Sequence, residues 1–261
     1  MNGLAVVTGA SGGIGKEFAE ILARDGYDLL LVARSEDRLL EICRDLSERY
    51  GIEATALPLD LSCDGVCERI FEATDGKADI LINNAGFGDY GMYAECDWNK
   101  HEKMIRLNVL ALAHLTRLYL PGMIERKKGR ILNLASVASF APGPLMADYY
   151  ATKSYVLSLT EALAEEIKGT GVTISALCPG PTDTGFAKTA EACGANVFKK
   201  SSSDTADRVA ALGYRKMMKG KTVIVCGLTF KLAAFFIRLC PRSAVRKIVY
   251  AVQKRSAPDK K

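Results

Sequence analysis

Val6-Val7-Thr8-Gly9-Ala10-Ser11-Gly12-Gly13-Ile14-Gly15-Lys16-Glu17-Phe18-Ala19 decides how this chain folds. The apolar run 4–7 reads as a buried strand, and residues 14–23 begin an apolar pattern at helical spacing. Glycines between them permit a tight turn and let backbone approach a ligand closely. A helix starting there offers unpaired N–H groups and a positive dipole end, which suits a pyrophosphate. Gly9, Gly13 and Gly15 are spaced Gly-x-x-x-Gly-x-Gly. That departs from the Gly-x-Gly-x-x-Gly of the usual dinucleotide loop.

Strand and helix then alternate along the chain. Apolar runs predict strands over 4–8, 28–33, 53–58, 79–83, 130–135, 172–178 and 222–226, with helices between them that include 36–49, 99–127, 149–168 and 205–219. Strands bridged by helices imply an α/β Rossmann fold: a doubly wound, parallel, seven-stranded sheet with helices on both faces. Ligands of such sheets bind beyond the carboxyl ends of the strands. With 261 residues, 49% apolar and 25% charged, the composition is that of a soluble globular chain with one substantial core. No repeat or low-complexity tract divides it. Cysteines 43, 63, 67, 96, 178, 193, 226 and 240 form no Cys-x-x-Cys pair, so buried free thiols are expected rather than disulfides or zinc ligands. His101 and His114 are the only histidines, too few for a metal cluster, and both are expected on a partly exposed helix without chemistry. A first strand at about Gly3 leaves no room for a signal or transit segment, so a cytoplasmic location is expected.

Tyr149 and Lys153, in Asp148-Tyr149-Tyr150-Ala151-Thr152-Lys153, fall on one helical face. Moving a phenol pKa from about 10 to near 7 takes about 4 kcal/mol, and a neighbouring ammonium supplies stabilisation of that kind. The pair is a candidate acid–base couple. Tyr150 lacks the spacing to share the face with Lys153 and is expected to pack. Thr8-Gly9-x-x-x-Gly13-x-Gly15, Asn83-Asn84-Ala85-Gly86, Asn108, Ser136, Tyr149-x-x-x-Lys153 and Pro179-Gly180 occur in this order. In that order and spacing, from residue 3 to about 227, the chain resembles the short-chain dehydrogenase/reductase family in its short, single-domain form.

The resemblance implies an oxidoreductase that interconverts a secondary alcohol and a ketone by hydride transfer. Tyr149 would give the proton in reduction or take it in oxidation. Lys153 would lower the phenol pKa and hold the nicotinamide ribose. Ser136 would hold the substrate oxygen at the charge that develops there. Asn108 would position Lys153 through water. Gly9, Ser11, Gly13, Ile14 and Gly15 would take the pyrophosphate side, Asp60 and Leu61 the adenine, Asn83, Asn84, Ala85 and Gly86 the adenosine side. Pro179, Gly180, Thr182 and Thr184 would line the nicotinamide side.

Cofactor choice is read at the end of the second strand, Leu29-Leu30-Leu31-Val32-Ala33-Arg34-Ser35. An NAD site usually places an acid there to bind the ribose hydroxyls. Ala33 removes that acceptor, and Arg34 supplies a forked cation suited to a 2′-phosphate. NADP(H) is therefore expected over NAD, with Ser11, Ser35 or Arg38 assisting. For the substrate, Phe87, Tyr90, Phe140, Leu145 and Met146 flank the motifs, and 181–203 reads as a lid with Phe186, Val197 and Phe198. Such a wall suits a small but bulky apolar ketone or alcohol, hydroxysteroid-like first and a 3-oxoacyl thioester second. No nucleic-acid partner is expected, and a homo-oligomer is.

The tail differs in kind. From Lys231 to Lys261 nine Lys or Arg face one acid, Asp259, giving +8 within a chain of net +5, so the remainder carries about −3 (5 minus 8). Residues 1–227 are expected to form the cofactor-binding and catalytic domain, and 228–261 a basic, amphipathic helical extension of it. Residues 223–240 make a poor membrane span: they begin as a strand, and Lys231 at the centre would cost roughly 2.5–3.5 kcal/mol. Two readings stay open, an amphipathic helix on an anionic membrane surface or an apolar flap on the pocket or a partner subunit, the flap being favoured. A non-catalytic dinucleotide sensor and a membrane-surface lipid-binding protein are the other function classes. The set Asn108, Ser136, Tyr149 and Lys153 favours the enzyme, because a binder has no need of it.

Overall fold

The computed structural model describes residues 3–184, 186 and 204–254. Seven strands, β1 (Leu4–Thr8), β2 (Asp28–Ala33), β3 (Ala54–Pro58), β4 (Ile80–Asn83), β5 (Gly129–Leu134), β6 (Val172–Cys178) and β9 (Val223–Val225), form one sheet in the order β3-β2-β1-β4-β5-β6-β9. Every neighbouring pair is parallel. Two short strands, β7 (Thr182–Asp183) and β8 (Asp204–Thr205), pair apart from it. The expected strands all lie in the main sheet, with ends shifted by at most a residue.

Alternation along the strands explains the two layers of helix. In β1, Ala5 and Val7 join a core with Phe18 and Leu22 of α1 (Gly13–Arg24), Leu39 and Ile42 of α2 (Glu36–Tyr50) and Val209 of α7 (Ala206–Met218). Val6 points the other way, and register aligns it with Leu30, Leu81, Ile131 and Ile174 in a row across five strands. That row packs under Ile70 of α3 (Val66–Glu72) and Leu115 and Tyr119 of α5 (Leu112–Glu125), with α6 (Ala147–Glu166) on the same side. Side chains in a strand alternate faces, so a run apolar at every position must be covered twice.

The strand order reverses at β1, whose neighbours are β2 on one side and β4 on the other. Loops after β1 and β4 therefore diverge and leave a crevice at their carboxyl ends. Thr8 and Asn84 fasten its floor: the Asn84 and Ala85 N–H groups both donate to Thr8 Oγ1 at 3.0 Å. Asn84 Nδ2 donates to the Thr8 carbonyl at 2.9 Å.

The expected helix over 99–127 is α4 (Trp98–Ile105), a π-helical turn (Arg106–Ala111) and α5 in one continuous rod. By length and composition alone this rod could cross a membrane. Leu115, Tyr119 and Met123 are nonetheless fully buried against the sheet, which makes it a core helix. His101 stands on a partly exposed helix but is itself turned inward. It is buried, with Nδ1 2.6 Å from Asp148 and Nε2 3.0 Å from Asp89, because its face of α4 packs on the start of α6. After β9 come α8 (Leu228–Ile237) and α9 (Arg242–Gln253).

Candidate active site

Glycine geometry shapes the nucleotide side of the crevice. Gly9 and Gly13 hold φ of +66° and +52°, where a side chain would be strained. A Cβ on Gly15 would collide with the Gly9 carbonyl, so this glycine serves close packing of α1 on the turn. Above the turn runs a cavity lined by Gly9, Ser11, Arg34, Asp60, Leu61 and Ala85, among others. Burial pushes the Asp60 carboxyl up, but hydrogen bonds from the Ser62 N–H and hydroxyl, together with the charge of Arg34, bring it below its ordinary value. Arg34 thus shares a field with Asp60 at this end. Arg38 is exposed on α2 and is not part of this lining, to which Ser35, Lys100 and Lys103 belong. Asn83 is also turned away, its amide donating to Asn133 Oδ1 at 2.9 Å inside the sheet.

A second cavity adjoins the first and shares Gly9, Ala85, Gly86 and Phe87 with it. Ser136, Tyr149 and Lys153 meet here, with Ile14, Asn84, Pro179, Gly180, Thr182 and Thr184 in the wall. Ser136 follows β5 and caps a 3₁₀ turn (Val137–Phe140), its Oγ accepting the Ala138 N–H at 3.1 Å. Ser139 receives the Ser136 N–H at 3.3 Å and donates to the Lys153 carbonyl at 2.7 Å. The turn is thereby bolted to α6, which carries Tyr149, and Ser136 and Tyr149 line the same cavity.

Charge in this corner is costly. Burial raises the Tyr149 phenol to about 12, against a smaller lowering by the nearby Ser136 side chain. Burial likewise lowers Lys153 to about 8. The expectation that Lys153 depresses the Tyr149 pKa is not met in this arrangement. Lys153 Nζ donates to the Leu134 carbonyl at 2.6 Å and lies 5.9 Å from the centre of the Tyr149 ring, and burial is the largest cause of the shift in each group.

Asn108 stands in the π-helical turn, fully buried, and lines neither cavity. Its amide clamps the Phe87 backbone from both sides, Nδ2 donating to the carbonyl at 2.9 Å and Oδ1 accepting the N–H at 3.1 Å. It also converges on Lys153: a Cβ placed on Gly86 would sit 2.9 Å from Asn108 Oδ1 and 3.4 Å from Lys153 Nζ. π turns interrupt the regular hydrogen-bond ladder and often mark functional positions.

The far wall is aromatic. Phe186 packs on Tyr149 with ring centres 5.2 Å apart, and Met146 and Phe87 complete that side. Phe230 of α8 lies directly against Gly180, where any side chain would exclude it. Gln253, the last residue of α9, donates from Nε2 to the Tyr150 hydroxyl at 2.6 Å, and its carbonyl accepts the Tyr90 hydroxyl at 2.8 Å. Tyr150 is therefore more than packing, since it lines the cavity and anchors the C-terminal helix. Phe140, Leu145 and Tyr90, expected in this wall, are not part of the lining of this cavity. Of the expected lid, residues 185 and 187–203, which include Val197 and Phe198, lie outside the described residues. Phe230, Gln253, Lys100 and Lys103 carried no local signal in the sequence; they reach the site through long-range packing.

Residues 3–193 match the model of the family described as short chain dehydrogenase. The chain belongs to that family. Its members are oxidoreductases that act on CH–OH and keto groups with a nicotinamide nucleotide. A very-long-chain 3-oxoacyl-CoA reductase from Rattus norvegicus is 37% identical over 211 residues, covering 77% of this chain and 67% of that protein. Among solved structures, a short-chain dehydrogenase from Sphingobium yanoikuyae in complex with NADPH superposes with a TM-score of 0.82 at 29% identity, covering 99% of each chain. A 7beta-hydroxysteroid dehydrogenase superposes with a TM-score of 0.85 at 25% identity, covering 94% of this chain and 96% of that one. The backbone-lined crevice, the φ values of its glycines and the helix N-terminus of α1 fit a dinucleotide.

Proposed function

We propose that this short-chain dehydrogenase is an NADP(H)-dependent reductase of bulky apolar ketones, working reversibly on the corresponding secondary alcohols. The observation that carries the reading is the meeting of Ser136, Tyr149 and Lys153 in the wall of one cavity, where an apolar pocket joins a glycine-lined crevice. Ser136 donates to the substrate carbonyl and steadies the oxyanion that forms. Tyr149 gives its proton to that oxygen, and in oxidation takes it back. Lys153 holds the ribose beside the site, and Asn108 positions it from behind Gly86. The nicotinamide nucleotide, when bound, supplies or accepts the hydride. Its pyrophosphate falls to the turn from Gly9 to Gly13, its adenine to Asp60 and Leu61, and its 2′-phosphate to Arg34. Residues 1–227 carry this chemistry, with 228–261 as their extension.

For the substrate, a hydroxysteroid-like ketone is our first reading, on the ground of the aromatic wall and the likeness to a hydroxysteroid dehydrogenase. A 3-oxoacyl thioester is the second, favoured by the reductase from Rattus norvegicus. We further infer a homo-oligomer in the cytoplasm. Leu110 and Tyr155, exposed on the long helix and α6, support self-association. A panel of steroid ketones and 3-oxoacyl thioesters, followed by nicotinamide absorbance with NADPH and NADH in turn, tests the reading. Turnover of neither class, or a preference for NADH, overturns it.

A further inference from the structure

The two C-terminal helices expose apolar side chains that a solvated surface does not explain. Leu228, Leu232, Phe235, Phe236 and Leu239, on α8 and just after it, are 51–72% exposed. On α9, Ile248, Tyr250 and Val252 are exposed as well. Isolated exposed leucines are ordinary, but clustered large apolar groups mark contact with something apolar. Cations are set among them: Lys231, Arg238, Arg242, Arg246 and Lys247 are all exposed. Acids are missing, for between Asp207 and Asp259 the sequence has none.

The inner sides of the same helices close the substrate pocket. Phe230 of α8 and Gln253 of α9 both stand in its wall. Whatever covers the outer side of these helices therefore lies next to the pocket.

We propose that α8 and α9 form an interfacial face that docks on an anionic lipid bilayer and holds the pocket mouth against it. Apolar side chains enter the acyl boundary while Lys and Arg stay at the headgroups, an arrangement that amphipathic surface helices use. A second copy of this chain fits the surface less well. A twofold contact would bring two faces rich in Lys and Arg together, and α8 and α9 themselves carry no acid to pair them. Docking extends the proposed function without resting on its substrate, because vesicle binding is read without turnover.

Flotation of the full chain with phosphatidylcholine vesicles, with and without about a third phosphatidylglycerol, tests the proposal. Binding is expected only to the anionic vesicles and should weaken as salt rises. Phe235→Asp with Phe236→Asp, and separately Arg242→Glu with Arg246→Glu and Lys247→Glu, should each weaken it by about tenfold or more. These side chains are exposed, so unchanged thermal melts and NADPH affinity are expected for both variants. A full chain that stays with the lipid-free fraction overturns the proposal. So do variants that float as well as the parent. A concentration-dependent dimer that Phe235→Asp dissolves, with no flotation, also overturns it and assigns the face to self-association.

Discussion

The two halves of the crevice are built from different materials. Backbone makes the nucleotide half: glycines in positive φ, carbonyls of Thr8 and Gly9 tied to Asn84, and the open end of α1. Side chains from distant parts of the chain make the substrate half, with Met146, Phe186, Phe230 and Gln253 converging on Tyr149. A backbone cradle admits few substitutions, because an added Cβ meets atoms that cannot move. A side-chain wall can exchange members while keeping its volume. The first half is therefore suited to one ligand, the second to substrates that vary.

Tyr149 stands at the join, and its loss should give the largest effect. Tyr149→Phe removes the proton donor and keeps the ring on Phe186, so kcat should fall by roughly 10²–10⁴-fold with NADPH affinity nearly intact. Single-turnover absorbance and a nucleotide titration measure the two quantities. A variant that keeps more than a tenth of the parent kcat would falsify the role.

Lys153 sharpens the comparison, since it belongs to both halves and is buried at a cost. Its folded pKa of about 8 lies below the ordinary 10.5. Between those values the unfolded chain holds a proton that the folded chain has released, so the stability of the nucleotide-free protein rises with pH across that window. Below pH 8 the folded state bears the whole cost of the buried ammonium, on the order of 3 kcal/mol. Lys153→Met should relieve that cost, less about 1 kcal/mol for the lost bond to Leu134. The nucleotide-free variant should then melt roughly 5 °C higher at pH 7 while losing turnover. Above pH 10.5 the gain should vanish. Equal melting of both proteins at neutral pH would show that the ammonium is not desolvated.

Arg34 tests the backbone half alone. Arg34→Ala should weaken NADPH by about ten- to a hundred-fold and NADH hardly at all, since one charged contact is worth roughly 1.5–3 kcal/mol. Calorimetric titration of both nucleotides reads this. Equal weakening of the two makes Arg34 structural, and a changed KM for ketones would break the separation between the halves.

The same division explains what could be read from the chain. Gly9, Gly13 and the strand–turn–helix around them are local, so a few consecutive residues specify the conformation. Tyr149 and Lys153 share one helix, and Ser136 reaches them through a short turn capped by its own neighbours. Arg38 sits four residues beyond Arg34, exposed on α2, and is not in the lining of the cavity that Arg34 lines. The burial of His101 is not legible locally, because its carboxylate partners, Asp89 and Asp148, come from two other segments. Phe230 and Gln253 lay beyond local pattern altogether, in a tail whose apolar and basic composition fits either a flap or a surface helix. In the described residues the tail is a flap on its inner side, and its outer side remains apolar.

Gln253 gives the smallest expected effect and the closest test of the side-chain half. Its amide bonds the Tyr150 hydroxyl and touches Met146 Sδ at 3.6 Å, so it fixes where α9 ends against the pocket. Gln253→Leu keeps the bulk and removes the donor, which leaves Tyr150 unpaired. One neutral hydrogen bond is worth about 0.5–1.5 kcal/mol, or roughly two- to tenfold. KM for bulky ketones should rise by that factor, while KM for a small ketone and the affinity for NADPH stay constant. A purely structural role predicts a lower melting temperature and a uniform loss of activity across the panel. If NADPH affinity falls together with the bulky-ketone KM effect, the two halves are coupled through α9, and the division between backbone cradle and side-chain wall is wrong.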